Sequence, residues 1–212
     1  MNNVTVTWLG HACFRLEYRG WSLVVDPYAD GSVPGLPPLR ERAGAVYCTH
    51  SHFDHNAVNC VTPDGSAPPE DFSLVTAVCP HDDAGGAKRG MNTIHAFTFG
   101  ERKVVHMGDV GCALPEETLA PLRGCDVLLL PVGGFYTVDA AEAFALAKEI
   151  APRAVVPMHY RSDRPAFGFD VLGTAEEFTR LFPAESVHHL STACFAVTDR
   201  APAGVVVPRL AL

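Results

Sequence analysis

Apolar and polar positions alternate with period two at the start of the chain, Val4, Val6 and Trp8 against Thr5 and Thr7. Successive side chains of a strand point to opposite faces, so this pattern predicts a half-buried β-strand. Met1 to Trp8 carries no basic cluster and reads as the start of that strand, not as a secretory leader. Cys13 to Tyr18 reads as a second strand, and Tyr18-Arg19-Gly20-Trp21 as a tight turn into a third over Trp21 to Asp26. Asp26-Pro27 ends that strand, because proline lacks a backbone donor and restricts the residue before it. Asp30 to Pro38 is rich in Gly and Pro and is expected as a loop, and Ala45 to Thr49 is a short apolar strand running into histidines.

Val61 to Asp71 reads as a second loop, Leu74 to Val78 as a strand, and His81 to Asn92 as a glycine-rich loop. Ile94 to Phe99 and Lys103 to Met107 have the pattern of a hairpin across Gly100-Glu101. Val127 to Leu130 is apolar throughout, as expected of a strand covered on both faces. Two helix starts carry the capping-box spacing. Asp139-Ala140-Ala141-Glu142 precedes Phe144, Ala147 and Ile150, and Thr174-Ala175-Glu176-Glu177 precedes Phe178 and Leu181. A shorter helix begins at Pro115-Glu116-Glu117, where proline suits the first turn and acids the positive end of the dipole. Ala154 to Pro157, His188 to Ser191, Phe195 to Thr198 and Val205 to Val207 supply further strands. No repeat and no linker divides the pattern, so one α/β domain over residues 1–212 is expected.

Composition narrows the classes of function. Hydrophobic residues make up 48% and charged residues 19% of the 212, the balance of a globular chain. Sixteen Lys and Arg stand against 24 Asp and Glu. The net charge of -8 speaks against nucleic acid or an anionic membrane surface as a partner bound by charge neutralisation. The longest strongly apolar run, Val127 to Val132, is too short to span a bilayer. Seven cysteines without a CxxC pair, most of them in apolar or strand-like contexts, fit a reduced, cytoplasmic chain. The conspicuous residue is histidine, present ten times.

Four candidate ligands fall within Thr49-His50-Ser51-His52-Phe53-Asp54-His55, at the end of a strand. His50 and His52 are two apart, so in extended or turning backbone they can lie on one side and share a cation. Asp54 and His55, displaced along the turn, can address a second cation a few ångströms away. Imidazole with carboxylate suits zinc, iron or manganese better than calcium or magnesium. Distant strand ends offer partners: His81 in Pro80-His81-Asp82-Asp83, Asp109 in His106-Met107-Gly108-Asp109, and His159 in Val156-Pro157-Met158-His159. Ligands at strand termini let an α/β scaffold build a rigid site from separated segments. Gly108 is expected to remove a side chain where backbone and metal run close. His95, His106, His188 and His189 lie in strand patterns and are expected to be structural or on the surface, and Asp82 and Asp83 read as loop acids.

These residues resemble the signature of the metallo-β-lactamase superfamily. Its HxHxDH motif is complete in His50, His52, Asp54 and His55, and Gly10-His11-Ala12, Val25-Asp26-Pro27, Gly108-Asp109 and Pro157-Met158-His159 match the flanking pieces. The likeness spans Val4 to Tyr160. It is similar to the short bacterial and archaeal metal-dependent hydrolases of that superfamily, the group that includes the ascorbate-phosphate lactonases. The resemblance implies a four-layered αββα sandwich with the site at one edge between the two sheets. It implies that His50, His52 and His81 hold one metal, that Asp54, His55 and His159 hold a second, and that Asp109 bridges both. Asp26 would stand behind a ligand histidine and fix its tautomer, and His11, after a turn glycine, would support the site from a similar outer position.

The expected function is a metal-dependent hydrolase with two divalent ions, zinc first, manganese or iron as alternatives. A hydroxide activated by both metals and oriented by Asp54 and Asp109 would attack a small ester, lactone or phosphodiester. No GxSxG elbow, P-loop or GxGxxG offers another chemistry. A di-iron redox enzyme on the same scaffold and a non-catalytic metal-binding module are the alternatives. A purely structural site normally closes its coordination shell, whereas seven ligands for two metals leave positions open. The partner is expected to be a small molecule, anionic where Lys88 or Arg89 in the loop after His81 contacts a phosphate or carboxylate. Tyr136, beyond Gly133-Gly134, is a further candidate contact, next to a Phe135 where close relatives often carry histidine.

Overall fold

The computed structural model describes residues 3–210, so Met1 and Asn2 of the expected first strand lie outside the described residues. The alternating start of the chain forms β1 (Val4–Gly10), with Val4, Val6 and Trp8 buried and the threonines half-buried. β2 (Cys13–Tyr18) runs back antiparallel, and β3 (Trp21–Val25) follows through Arg19 and Gly20. Both turn residues have positive φ, 50° and 81°, the geometry that matches the twist of the flanking strands. β4 (Glu41–Ala43) pairs in parallel with β6 (Val61–Pro63), and β5 (Ala45–Tyr47) joins β3. β6 occupies the start of a segment expected as loop, because a distant strand completes its hydrogen bonds.

The second sheet opens with β7 (Phe72–Pro80) and β8 (Met91–Phe99), both longer than their apolar runs. β9 (Arg102–His106) returns from β8 across Gly100-Glu101, with Phe99 opposite Arg102. β10 (Val127–Pro131) and β11 (Ala154–Met158) are buried throughout and parallel. A two-residue ribbon, β12 (Ser162–Asp163) with β13 (Ala166–Phe167), interrupts the following loop. β14 (Val187–His189) and β16 (Gly204–Val207) complete the second sheet, while β15 (Cys194–Val197) crosses to the first. The strand orders are β15-β1-β2-β3-β5 and β14-β16-β11-β10-β9-β8-β7.

α1 (Glu116–Leu119) is one turn long. α2 (Ala140–Ile150) starts with the expected capping box: the Asp139 carboxylate accepts from the N–H of Ala141 and Glu142, and Glu142 accepts from the Asp139 N–H. α3 (Ala175–Thr179) starts after Thr174, whose N–H donates to Glu177 at 3.3 Å. It stops short of Leu181, which is exposed and not on a buried helical face. Pro183 accounts for the stop, because its ring would clash with the Thr179 carbonyl in a continued helix.

The sheets pack face to face. Ring centroids of Tyr18 and Phe99 lie 5.7 Å apart, Trp21 and Phe72 4.7 Å, and Tyr47 and Phe97 5.3 Å. α2 and α3 cover β10 and β11 on the outer face of the second sheet. Tyr28, Val33, Leu39, Ala57 and Val61 close over Cys13 and Val24 on the outer face of the first. Four layers are present, and the outer layer over the first sheet is irregular chain with a single 3-10 turn at Val58–Cys60. The Gly and Pro content of Asp30 to Pro38 rules out an α-helix there. All seven cysteines are unpaired. Among the described residues no helix is long and apolar enough to cross a membrane.

Strand direction positions the site. β1, β3 and β5 run parallel to one another, as do β7, β9, β10 and β11, with β2 and β8 as return strands. The residues just beyond these parallel strands therefore gather at one edge of each sheet.

Candidate metal centre

Asp26, fully buried just after β3, organises the first-sheet side. Its Oδ1 accepts the Thr49 N–H at 2.7 Å, and its Oδ2 accepts the Thr49 hydroxyl at 2.7 Å and His55 Nδ1–H at 2.8 Å. With its proton given to Asp26, the Thr49 oxygen acts as acceptor toward His50 Nδ1, 2.9 Å away. This network assigns the Nδ1–H tautomer to both neutral imidazoles and turns the Nε2 lone pairs of His50 and His55 inward.

Those lone pairs meet Asp109. Its Oδ2 lies 3.1 Å from His159 Nε2, 3.3 Å from His55 Nε2, 3.3 Å from His81 Nε2 and 3.9 Å from His50 Nε2. Lone pairs facing a carboxylate oxygen repel unless a cation lies among them. The Nε2 atoms of His50, His55 and His81 and Oδ1 of Asp109 are buried without a hydrogen-bond partner among the described residues. Orphaned buried acceptors are costly, and a divalent metal resolves the cost. The donors, imidazole and carboxylate with no thiolate, fit zinc, manganese or iron. Ligand atoms lying within 4.8 Å of one another fall into two sets, His50, His52 and His81, and His11, Asp54, His55 and His159. Asp109 groups with His50 and His55, one residue from each set.

The charges agree. Burial alone would raise the Asp109 carboxyl, but His159 and His55 outweigh it and hold it well below the usual carboxylate range. Asp54 is held low against the same burial by the hydrogen bond from His11 and by His55. Burial would lower His55, yet Asp109 and Asp26 hold that imidazole well above its ordinary value. Burial pushes His50 down to about 3 and His11 to about 4. The Asp54 and Asp109 carboxylates stay ionised and the His11 and His50 imidazoles neutral, the states that metal ligation requires. Positive charge is favoured between Asp109 and Asp26, where a metal on His55 Nε2 would take the place of the proton that otherwise sits there.

The backbone bends to bring these groups in. His11, Asp26 and His159 have φ near +50°, a costly region for residues other than glycine. Gly108 also has positive φ, and a Cβ there would lie 2.1 Å from Asn92 Oδ1 and 2.7 Å from Thr49 Cβ. Its absent side chain makes room for Asn92 and Thr49. Asn92, which no sequence pattern singled out, accepts the Asp109 N–H at 2.9 Å and donates to the Met107 carbonyl at 2.8 Å. It aims the carboxylate from the far side of the hairpin.

His50, His52, Asp54, His55, His81, Asp109 and His159 are thus brought together, with Asp26 behind His55. His11 Nε2 lies 3.2 Å from Asp54 Oδ2 and its ring 4.1 Å from that of His159, so it hydrogen-bonds a candidate ligand and groups with Asp54, His55 and His159. A cavity of about 240 Å³ opens over the centre, bordered by five of these residues together with Arg89, Tyr136 and Phe169. Lys88 is not brought to this cavity, because its ammonium pairs with Asp83 at 2.6 Å on the surface. Asp82 separates the two neighbours. Its carboxylate accepts the N–H groups of Ala84, Gly86, Lys88 and Arg89 and coils the loop around itself. Phe169, on an aperiodic loop, carried no sequence signal. His106 uses both nitrogens structurally, with Nε2 donating to the Ala12 carbonyl and Nδ1 accepting the Gly108 N–H. His95 stacks on Phe97, and His188 bonds the Ala203 carbonyl.

The chain is similar to known proteins of one superfamily. Residues 5–159 match the profile of a family described as the beta-lactamase superfamily domain. A UPF0173 metal-dependent hydrolase of Caldivirga maquilingensis is 31% identical over 186 residues, covering 73% of this chain and 81% of that one. A namesake from Methanoculleus marisnigri is 30% identical over 190 residues, covering 73% and 80%. The crystal structure of a metallo-β-lactamase superfamily protein from Thermotoga maritima matches with a TM-score of 0.75 and 26% identity, over 98% of this chain and 100% of that one.

Proposed function

The chain belongs to the beta-lactamase superfamily domain family, among its short metal-dependent hydrolases, and on that premise we propose a hydrolase that uses two divalent metals, zinc first, on a small ester, lactone or phosphodiester. The observation that carries this reading is the convergence of four imidazole Nε2 atoms on one oxygen of Asp109, 3.1 to 3.9 Å away. His50, His52 and His81 would hold one metal, Asp54, His55 and His159 the other, with His11 in reach of the second and Asp109 shared. Metals bound there would lower the pKa of a water toward neutrality and polarise the scissile oxygen.

The chain's own residues do the rest. Asp26 fixes the His55 ring directly and the His50 ring through Thr49. Asp54, beside His11, faces the cavity and would orient the attacking hydroxide. Tyr136 and Phe169 border the opening. The cavity of about 240 Å³ suits a compact substrate. The unpaired thiols fit work in the reducing cytoplasm.

The test is metal analysis of the purified protein coupled to a screen of lactones, esters and phosphodiesters with and without chelator. Bound metal, activity lost to chelator and activity regained on reloading are expected. Asp109→Ala should lose metal and activity together, beyond the roughly 10- to 100-fold cost of removing an outer partner. Full turnover by a metal-free preparation overturns the reading, and iron with a visible absorbance band would favour the redox alternative.

A further inference from the structure

Among the described residues Arg89 is the only lysine or arginine that lines the cavity. Its guanidinium carbon lies 5.2 Å from the Tyr136 ring centroid and 5.9 Å from that of Phe135, and the two rings meet edge-on at 4.8 Å. Stacking holds the planar cation by its face and leaves its fork of N–H donors free in the plane. No ion pair of Arg89 occurs among the described residues, whereas the ammonium of its neighbour is taken by Asp83.

The cation is also placed by its backbone. Asp82 accepts the Arg89 N–H at 2.8 Å, so the loop that leaves the ligand His81 brings Arg89 back over the same cavity. The Tyr136 ring lies 6.4 Å from His159 and 5.9 Å from Phe169. The guanidinium therefore stands one aromatic ring away from a metal-binding imidazole, above an aromatic floor. Asp82, Asp83 and Glu142 border a neighbouring hollow with Arg89, but among the described residues none lies within ion-pair distance of its guanidinium.

We propose that Arg89 binds an oxyanion of the substrate, carboxylate or phosphate, a few bonds from the group that is hydrolysed, so that the substrate is a small anionic molecule and not a neutral one. The hydrolysed bond rests on the function proposed above, while the oxyanion subsite rests on the Arg89 geometry.

Benzoate and phenylphosphonate, a planar and a tetrahedral oxyanion on the same ring, are titrated into the metal-loaded protein and into R89A and R89K, with metal content measured on each. In R89A the affinity should fall roughly 10- to 100-fold at unchanged metal content. R89K keeps the charge without the planar fork and should lie between. A loss for both probes assigns a general oxyanion subsite, and a loss for one alone assigns that geometry. Equal affinities in the wild type and R89A overturn the proposal, because the metals alone would then hold the anion. With a matched anionic and neutral ester, R89A should narrow the kcat/KM preference for the anionic one by a similar factor, through KM. Oxyanion binding that depends on Arg89 in a protein that hydrolyses nothing would sustain the subsite and sink the hydrolytic reading.

Discussion

The two sheets deliver the same kind of ligand held in different ways. On the first sheet, His55 and His50 are gripped from behind by Asp26 and Thr49. On the second sheet, the Nδ1 atoms of His81 and His159 are buried without a partner among the described residues. Backbone contacts replace the side-chain grip there. The His81 N–H bonds the Gly90 carbonyl at 3.0 Å, and the left-handed His159 donates to the His11 carbonyl at 3.4 Å. Gly133 lies against His159, where a Cβ would come 2.2 Å from the His159 carbonyl oxygen. One half of the centre is oriented by a polar network and the other by close backbone packing. They should fail under different substitutions.

The largest expected effect is on the polar half. Asp26→Asn keeps the shape but replaces one acceptor oxygen and the negative charge with an NH2 donor, so it cannot accept the Thr49 N–H together with the Thr49 hydroxyl and His55 Nδ1–H, and its grip on the His55 tautomer weakens. Metal affinity should fall roughly 10- to 100-fold in competition with a chromophoric chelator. Wild-type affinity in this variant would show that Asp26 does not orient the ligands. The packing half is probed by Gly133→Ala, which inserts a methyl group where the His159 backbone lies. Overpacking of this kind costs about 1–3 kcal/mol, readable by denaturant unfolding of the metal-free protein. A stability loss with metal affinity reduced is expected, and unaltered stability would remove Gly133 from the account.

The smallest effect on the centre comes from a buried histidine outside both halves. Burial pushes His95 down to about 4 from 6.5. Between those values the unfolded chain binds a proton that the folded chain refuses, so stability falls as pH drops from about 6.5 to about 4. His95→Phe keeps the stack on Phe97 and removes the titration. It should flatten the acid limb of stability by up to about 3 kcal/mol with metal content unchanged. An acid limb as steep as in the wild type would assign the loss to other groups.

Much of the fold was legible because its signals are local. Alternation in β1, the apolar run of β10 and the Asp139 capping box each depend on residues a few positions apart. So does the metal motif, since His50 and His52 two apart on bending backbone share a side whatever the rest of the chain does. The misses are non-local or conformational. β6 forms only because β4 lies beside it, and α3 ends early because Pro183 follows. Asn92 is an ordinary loop-end asparagine until the hairpin carries it under Asp109.

The sequence by itself determined the chemistry: ligand types suited to a divalent transition metal, at strand ends, with no rival nucleophile motif. Only the tertiary structure decided the convergence on a single Asp109 oxygen, the hydrogen bond between His11 and Asp54, and the choice of Arg89 over Lys88 at the cavity. Ligand identity is written in side-chain chemistry and short spacings, which survive in any extended backbone. Convergence depends on strand order, on register and on a loop coiled around Asp82, which residues far apart in the chain settle together.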